Sequence, residues 1–353
     1  MDITLHCRSC GKEYKANEKV WRCDCGGLLD IRTSNQFQPE LIDKSDHSIW
    51  RYKNFLPVNA PDKISFGEGL TPLIKERKKR FFKLDYISPT GSFKDRGASV
   101  LVSKMKELGI QKVVEDSSGN AGKAIAAYCS QAEISCEIIV PKNTPESKLL
   151  QIKNTDVEIN IVDGNREQAA TVALKRANDT YYASHVWNPY FFQGTKTIAY
   201  EIFEQMENFP ERIIIPVGNG TLLIGIYLGL IELQKGGYLE DFPAVVGVQP
   251  ENCAPLVEAF RDNKNRIITD GWCPSIAKGI SVAAPARSRQ ILNFTRKYNG
   301  QLVAVTEKKI ADAHQNLLRR GYLIETTAAA GYAGYLKFFN DRKNTLIILT
   351  GKQ

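Results

Sequence analysis

The segment Thr90-Gly91-Ser92-Phe93-Lys94-Asp95-Arg96-Gly97-Ala98 opens the part of the chain that decides its fold. Its first residues are typical of a turn, and Leu101, Met105 and Leu108 then recur at helical spacing. Lys94 therefore starts a predicted helix, where the helix dipole disfavours a positive charge. A lysine suits this place when its amine is a nucleophile, since positive potential keeps part of the amine unprotonated. Pyridoxal phosphate is the natural aldehyde partner, although the motif alone fits a surface lysine in a basic stretch equally well.

A glycine-rich turn further along the chain predicts a phosphate site. The predicted buried strand Ile213–Val217 leads into Gly218-Asn219-Gly220-Thr221, which we call the phosphate turn, and then into an apolar helix. Backbone N–H groups and the helix dipole converge at such a turn. A dinucleotide fold is disfavoured, because the next glycine is Gly225 and the G-x-G-x-x-G spacing is absent. The pattern favours a single phosphate group over NAD.

A similar turn follows the predicted strand Lys112–Glu115. Its sequence is Asp116-Ser117-Ser118-Gly119-Asn120-Ala121-Gly122, which we call the carboxylate turn, and it precedes a predicted helix. Hydroxyls, an amide and backbone N–H groups at a helix start suit a small carboxylate. An ordinary N-cap would explain one serine, but not two serines with a glycine and an asparagine. Near the carboxyl end, the buried run Thr345–Leu349 ends in the hydroxyl of Thr350, which by itself is a common strand end.

Two cysteine pairs lie near the amino terminus. Cys7-Arg8-Ser9-Cys10-Gly11 has the spacing of half a zinc ribbon, and Cys23-Asp24-Cys25-Gly26-Gly27 is a candidate second half. The second pair is one residue tighter than usual, so four reduced structural cysteines are the alternative. Four cysteine ligands leave no open coordination position, and zinc here would be structural. We therefore predict a zinc-ribbon-like unit over residues 1–34, the ribbon segment.

The composition fits an enzyme without proving one. The chain has 353 residues, 43% of them apolar, and a formal net charge of +8, which suits anionic substrates. We expect no membrane span and a cytoplasmic location, because no apolar run is long enough and the start lacks a signal pattern. The remaining cysteines are scattered, as in a reducing compartment. The densest basic run, Lys75–Arg80, is more typical of a solvated hairpin.

Strand-like and helical stretches alternate from residue 112 onward, which predicts a parallel α/β fold. The predicted strands are Lys112–Glu115, Cys136–Val140, Glu158–Val162, Arg212–Val217, Ala244–Val248, Gln301–Val305 and Thr345–Leu349. The named turns follow strands of this series, at the edge where parallel sheets bind ligands.

Four motifs together resemble the threonine synthase family of fold-type-II pyridoxal phosphate enzymes. They are Gly67-Glu68-Gly69-Leu70-Thr71-Pro72-Leu73, Pro89–Gly97, Ser117–Gly122 and Val217–Gly220. The resemblance covers nearly the whole chain and implies two parallel α/β domains after the ribbon segment. A large cofactor-binding domain would comprise 35–97 and 187–353, and a smaller domain would be inserted over 98–186. The resemblance also implies a homodimer.

The resemblance assigns roles to individual residues. Lys94 would form the Schiff base and then act as the general base. Asn120 would bind the cofactor's phenolic oxygen, the phosphate turn (Gly218, Asn219, Gly220 and Thr221) its phosphate, and Thr350 its pyridine nitrogen. Substrate would be bound by Ser92, Ser117, Ser118, Asn120, Lys123 and Phe191. A hydroxyl partner cannot keep the pyridine protonated as a carboxylate would, which biases the chemistry toward elimination and replacement.

At several positions that are expected to bind substrate, this chain differs from the threonine synthase pattern. Threonine synthases usually carry an arginine for the substrate phosphate two residues after Asn-Pro, and here Phe191 stands in its place. Trp187 replaces a smaller aliphatic residue, and Lys123 and Lys278 are extra cations near the expected site, although each lysine alone is also typical of a solvated face. These changes favour a branch resembling cysteate synthase, which replaces the phosphate of O-phosphoserine with sulfite.

Three alternatives stay open. The first is threonine synthase, which converts O-phosphohomoserine and water to threonine. The second is a serine or threonine dehydratase, which shares the cofactor and Lys94 but releases ammonia and a keto acid. The third is a nucleic-acid binder built on the basic ribbon segment, which would leave the Lys94 motif without a role. We expect a small-molecule substrate and no nucleic-acid or membrane partner.

Overall fold

The computed structural model describes residues 3–34, 36–153, 155–339 and 343–352. The strands in chain order are β1 Ile3–Cys7, β2 Glu13–Lys15, β3 Leu29–Thr33, β4 Leu73–Arg77, β5 Arg80–Lys83, β6 Lys112–Glu115, β7 Ser135–Pro141, β8 Glu158–Val162, β9 Tyr181–Tyr182, β10 Arg212–Pro216, β11 Ala244–Pro250, β12 Gln301–Val305 and β13 Thr345–Ile348. The α-helices are α1 Lys94–Glu107, α2 Asn120–Gln131, α3 Glu146–Lys153, α4 Arg166–Arg176, α5 Pro189–Thr195, α6 Thr197–Gln205, α7 Thr221–Lys235, α8 Pro255–Arg261, α9 Ser288–Lys297, α10 Glu307–Arg319 and α11 Thr326–Phe338.

The predicted α/β fold is confirmed, and every predicted strand is present. Predicted and observed strand ends differ by at most two residues, as at the end of β11, Ala244–Pro250 instead of Ala244–Val248. Sequence analysis missed the strand β9, Tyr181–Tyr182, because two residues are too few to show a periodicity. Among the described residues, no helix combines the length and apolar character needed to cross a membrane.

Contacts within the chain divide it into two compact units. The first unit comprises Met1–Glu68 and Lys94–Thr195, and the second comprises Gly69–Phe93 and Lys196–Gln353. The units are defined by contacts alone, so the predicted inserted domain at 98–186 stays a prediction.

The first unit contains two sheets. The ribbon segment forms an antiparallel sheet with the strand order β2-β1-β3, and a parallel sheet has the order β8-β7-β6-β9. Buried side chains from both belong to one hydrophobic core, in which Leu5 and Trp21 of the ribbon segment join Val113 and Val114 of β6. The ribbon segment is therefore an integral part of the first unit.

The second unit is built on a sheet with the strand order β12-β11-β10-β13-β5-β4. Its strands pair in parallel except for β4 and β5, which form an antiparallel hairpin. The turn of this hairpin exposes Lys78 and Lys79 to solvent, which confirms the hairpin predicted for the basic run. The central strands β10 and β13 are buried on both faces, as expected of strands covered by helices on each side.

Candidate active site

Lys94 is the first residue of α1, as predicted, and its side chain is half-buried. Its Nζ atom lies 5.7 Å from the centre of the Phe191 ring, which belongs to α5 and is completely buried. The ring packs directly on Gly97, where an added Cβ would lie 2.3 Å from a ring carbon. The structure thus brings together two residues that the sequence singled out, Lys94 and Phe191, on adjacent helices of the first unit.

Close backbone packing holds α1 and α5 together. A Cβ at Gly194 would lie 1.8 Å from the carbonyl oxygen of Arg96, so only glycine allows this approach. Gly97 on one helix and Gly194 on the other therefore fix the position of the Phe191 ring relative to the Lys94 amine.

The carboxylate turn is tightly folded and runs into α2, which begins at Asn120 and so includes the last three residues of the predicted turn. Ser117 is buried, and its Oγ accepts a hydrogen bond of 3.3 Å from the backbone N–H of Gly119. A Cβ at Gly122 would lie 1.7 Å from the Ser117 carbonyl oxygen. Ser118, Asn120 and Lys123 are half-buried around this helix start. The N-cap Gly119 supplies no side-chain cap, so the helix N-terminus can serve a substrate carboxylate.

The phosphate turn belongs to the second unit and precedes α7. Gly220 has a left-handed φ of 76°, and it provides no side-chain cap for the helix that starts at Thr221. A Cβ at Gly218 would lie 2.9 Å from Ile280 Cα, so the turn runs close to the backbone of a neighbouring loop. The uncapped start of a 15-residue apolar helix is suited to a phosphate group. The exposed Lys278 begins the short 3-10 turn Lys278–Ile280 to which Ile280 belongs.

Ser92 and Thr350 are neighbours in the second unit. Ser92 forms an isolated antiparallel bridge with Gly351, and the Phe93 N–H donates a 3.0 Å hydrogen bond to the Thr350 carbonyl. The Thr350 Oγ1 atom is buried and has no hydrogen-bond partner among the described residues. Buried hydroxyls are usually hydrogen-bonded, so this one is suited to bind a ligand atom such as a ring nitrogen.

These features fit pyridoxal phosphate. In the first unit, Lys94 offers an amine and Asn120 an amide, and in the second unit the phosphate turn and Thr350 suit a phosphate and a pyridine nitrogen. When bound, pyridoxal phosphate supplies an electron sink for the α-carbon of an amino acid. Each assigned role stays a prediction, since it comes from the resemblance.

A buried acidic and basic pair was missed by sequence analysis. Glu115 ends β6 and His185 follows β9, and the Glu115 Oε1 atom lies 3.1 Å from His185 Nδ1. Burial raises the pKa of the Glu115 carboxyl well above its usual range, and the charge of Asp116 adds to this rise. Burial also lowers the pKa of His185, and the positive charge of Lys94 lowers it further. No motif links residues 70 positions apart, so only the fold could show this pair.

The predicted cysteine cluster is assembled in the ribbon segment. The Sγ atoms of Cys7, Cys10, Cys23 and Cys25 all lie within 4.8 Å of one another. The Cys7–Cys25 separation is 3.6 Å and the Cys10–Cys23 separation is 3.5 Å. Sulfurs bound to tetrahedral zinc at about 2.3 Å lie about 3.8 Å apart, so the donor set fits structural zinc. The tighter spacing of the second pair does not prevent the cluster from forming.

The ribbon segment also packs against the part of the first unit that leads to Phe191. The Trp21 ring makes edge-to-face contacts with Tyr182 at 5.1 Å and with Trp187 at 6.0 Å between ring centres. The Tyr190 hydroxyl donates a 3.3 Å hydrogen bond to the Ala16 carbonyl. Trp187 therefore has a packing role against Trp21, and its predicted effect on the width of the substrate pocket stays a prediction.

Comparisons with known proteins show the family to which the chain belongs. The family described as "Pyridoxal-phosphate dependent enzyme" matches residues 64–351. The threonine synthase of Methanocaldococcus jannaschii is 32% identical over 98% of this chain and 90% of that protein. The threonine synthase of Methanosarcina acetivorans is also 32% identical, with the same coverage. The chain belongs to the pyridoxal-phosphate dependent enzymes of fold type II, and within them to the threonine synthase family.

Solved structures support the same fold. A pyridoxal 5'-phosphate-dependent aspartate racemase has a TM-score of 0.70 and 25% identity, over 84% of this chain and 96% of that chain. An L-serine ammonia-lyase from Rhizomucor miehei has a TM-score of 0.71 and 23% identity, over 81% and 94% of the two chains. The predicted cofactor and enzyme class are confirmed at the level of the family.

Proposed function

We propose that this enzyme replaces the phosphate of a phosphorylated amino acid, with O-phosphohomoserine and water, giving threonine, as its first candidate reaction. The observation that carries this proposal is the similarity to threonine synthases over 98% of the chain. These relatives favour threonine synthase, which sequence analysis kept as an alternative, over the cysteate synthase activity that it favoured.

In this proposal each candidate site residue has a separate role in binding or in proton transfer. Lys94 binds the cofactor's aldehyde carbon and, once released, accepts the substrate's α-proton at Nζ. Ser117, Ser118 and Asn120 bind the substrate carboxylate at the start of α2. The phosphate turn binds the cofactor phosphate, and Thr350 donates or accepts a hydrogen bond at the pyridine nitrogen.

Phe191 favours cysteate synthase as a second candidate. The buried ring occupies the space over Gly97, and its centre lies 5.7 Å from the Lys94 amine. The family arginine at this position is a bidentate phosphate partner, and losing it should cost about 2 kcal/mol or more for phosphohomoserine. O-phosphoserine is shorter by one methylene, and Lys123 or Lys278 could attract the sulfite dianion.

A substrate panel tests both candidates. O-phosphohomoserine and O-phosphoserine are each incubated with the enzyme, with and without sulfite, while released phosphate is measured and amino-acid products are separated. Threonine from phosphohomoserine without sulfite supports the first candidate, and cysteate from phosphoserine with sulfite supports the second. Unphosphorylated serine and threonine are incubated in parallel, and keto acid from either of them, without phosphate release from either ester, contradicts both candidates and indicates a dehydratase.

We further propose a cytoplasmic homodimer with structural zinc in the ribbon segment. The dimer rests on the resemblance alone, and light scattering of the purified enzyme would contradict it by giving the mass of a single 39.5 kDa chain. The free cysteines throughout the described residues are in keeping with a reducing compartment.

A further inference from the structure

Residues 11–22 of the ribbon segment, which we call the ribbon loop, contact the rest of the first unit at two places. The loop lies between Cys10 and Cys23, whose Sγ atoms are 3.5 Å apart. Holding the two ends of a chain segment together restricts the conformations that are open to it. The ribbon loop therefore has a defined shape with which to contact its neighbours.

At the first place, Trp21 of the ribbon loop contacts Tyr182 of the strand β9. Both side chains are buried, and their ring centres are 5.1 Å apart in an edge-to-face arrangement. The Tyr182 hydroxyl donates a 2.8 Å hydrogen bond to the side chain of Asp116, the first residue of the carboxylate turn. Burial raises the pKa of Tyr182 well above its usual range, so the hydroxyl keeps its proton and stays a donor. Direct contacts thus connect the ribbon loop to the carboxylate turn.

At the second place, the ribbon loop contacts the helix α5, which carries Phe191. The hydroxyl of Tyr190, the residue before Phe191, donates a 3.3 Å hydrogen bond to the Ala16 carbonyl. Tyr190 is completely buried, and Trp187, which precedes α5, packs edge-to-face on Trp21. Each of the two elements that we assign to substrate binding in the first unit is therefore connected to the ribbon loop through one tyrosine.

We propose that the ribbon loop positions these substrate-binding elements, through Tyr182 for the carboxylate turn and through Tyr190 for Phe191. Trp21, Tyr182 and Tyr190 are positioning residues, because they act through the turn and through α5 and need not touch the substrate. The inference rests on the proposed role of the carboxylate turn in binding an amino-acid carboxylate. It does not depend on which phosphorylated amino acid is the substrate.

The Tyr182 hydroxyl should favour carboxylate binding for two reasons. It holds the side chain of Asp116 in one place, which orders the start of the carboxylate turn. It also offsets part of the negative charge of Asp116, which would otherwise repel a carboxylate bound at the same turn. Removing the hydroxyl loosens the turn and leaves this charge without its donor, and both changes weaken substrate binding.

Tyr182→Phe removes only this hydroxyl and keeps the ring that contacts Trp21. The holoenzyme is titrated with L-serine and with L-threonine, and amino-acid binding is followed by the visible absorbance of the bound cofactor. We expect the apparent Kd for each amino acid to rise by about tenfold, with the absorbance before titration unchanged. In turnover, KM for the phosphorylated substrate should rise while kcat changes by less than about twofold. A loss of stability alone would leave Kd unchanged.

A double-mutant cycle and a matched control connect the effect to Asp116. In the Asp116→Ala background, Tyr182→Phe should change Kd by less than about twofold, because the acceptor of the hydrogen bond is already absent. Tyr200→Phe is the control, since Tyr200 is also buried and its hydroxyl also donates to a carboxylate, that of Glu232, within the second unit. This control should leave Kd unchanged.

Hydrogen exchange of the holoenzyme tests the ribbon loop itself. Trp21→Leu removes the aromatic contact with Tyr182, and amide exchange over Asp116–Gly122 should become about tenfold faster or more. The exchange is measured by mass spectrometry of peptic peptides. Exchange over Thr221–Lys235, the helix α7 of the second unit, should stay as in the wild type.

Tyr190→Phe tests the second contact in the same way. It removes the hydrogen bond to the Ala16 carbonyl and keeps the buried ring, so exchange over Pro189–Thr195 should become faster while α7 again stays unchanged.

Four results would overturn the proposal: an unchanged Kd in Tyr182→Phe, an equal rise in Tyr200→Phe, a full effect that persists in Asp116→Ala, or the absence of faster exchange in either peptide. Equally faster exchange over α7 would also overturn it, because that indicates general destabilisation. If Trp21→Leu does not fold, as judged by circular dichroism, Trp21→Phe is measured against the same criterion. Failure of every phosphate ester in the panel would leave the amino-acid Kd and the exchange rates measurable, so the two failures are distinguishable.

Discussion

Gly122 lies where the chain turns from Ser117 into α2, and the structure leaves no room there for a side chain. A Cβ would lie 1.7 Å from the Ser117 carbonyl oxygen, a backbone atom that cannot move without opening the carboxylate turn. We expect Gly122→Ala to lower the free energy of unfolding by about 2–3 kcal/mol, measured by urea denaturation.

Gly119→Ala is the control for this substitution. The nearest atom to a Cβ at Gly119 is Ser117 Oγ at 3.8 Å, an ordinary contact, so the loss should stay below about 1 kcal/mol. Equal losses in the two variants would show that the Ser117 carbonyl is not the cause.

In our proposal, Phe191 is the residue that most directly decides which phosphorylated amino acid is bound. Phe191→Arg should raise kcat/KM for O-phosphohomoserine relative to O-phosphoserine by about tenfold or more, because a guanidinium can bind the phosphate at two points. Initial rates of phosphate release measure this ratio. Phe191→Leu removes the ring without adding charge, and an equal change in that variant would argue against phosphate binding as the reason.

At the scale of elements, aromatic contacts of Trp21 join the ribbon segment to the rest of the first unit, and the cysteine cluster lies within the segment itself. Cys10→Ser should abolish zinc binding and lower the unfolding temperature of the protein, since the metal replaces hydrophobic contacts that so small a sheet cannot make. Metal analysis and thermal unfolding measure the two effects.

Cys273→Ser is the matched control, because Cys273 is also exposed but lies outside the cluster. It should retain both the metal and the unfolding temperature. Zinc-free wild-type protein that unfolds at the same temperature as the loaded protein would contradict a structural role for the metal.

At the scale of the whole molecule, the cofactor should stabilise the folded chain. A ligand present at a hundred times its Kd adds about 2.7 kcal/mol to the free energy of unfolding. We expect removal of pyridoxal phosphate to lower the unfolding temperature. Lys94→Ala should abolish both the visible absorbance of the covalently bound cofactor and phosphate release.

Lys123→Ala is the control for Lys94→Ala, because Lys94 and Lys123 are both half-buried lysines near a predicted turn. It should keep the visible absorbance, since Lys123 is proposed to contact substrate and not the cofactor's aldehyde. If Lys123→Ala loses the absorbance and Lys94→Ala retains it, the cofactor is bound by Lys123 and our assignment of Lys94 is wrong.

Most of the fold could be predicted from the sequence because it rests on local patterns. Buried parallel strands such as Ile213–Val217 form continuous apolar runs, and glycines and hydroxyls mark the turns that follow them. The starts of α1 and α7, which depend on turn chemistry, were predicted to within one residue. The short strand β9 has no such pattern, since its pairing with β6 depends on residues about 70 positions away.

The sequence alone was sufficient to determine the family, the cofactor and the lysine proposed to bind it, because turn and helix-start motifs carry their chemistry in adjacent residues. Only the tertiary structure could show that the Phe191 ring lies on Gly97, that four cysteine sulfurs meet, and that Glu115 and His185 form a buried pair. These contacts join residues far apart in the chain, and their energies depend on burial and distance, which exist only once the chain has folded.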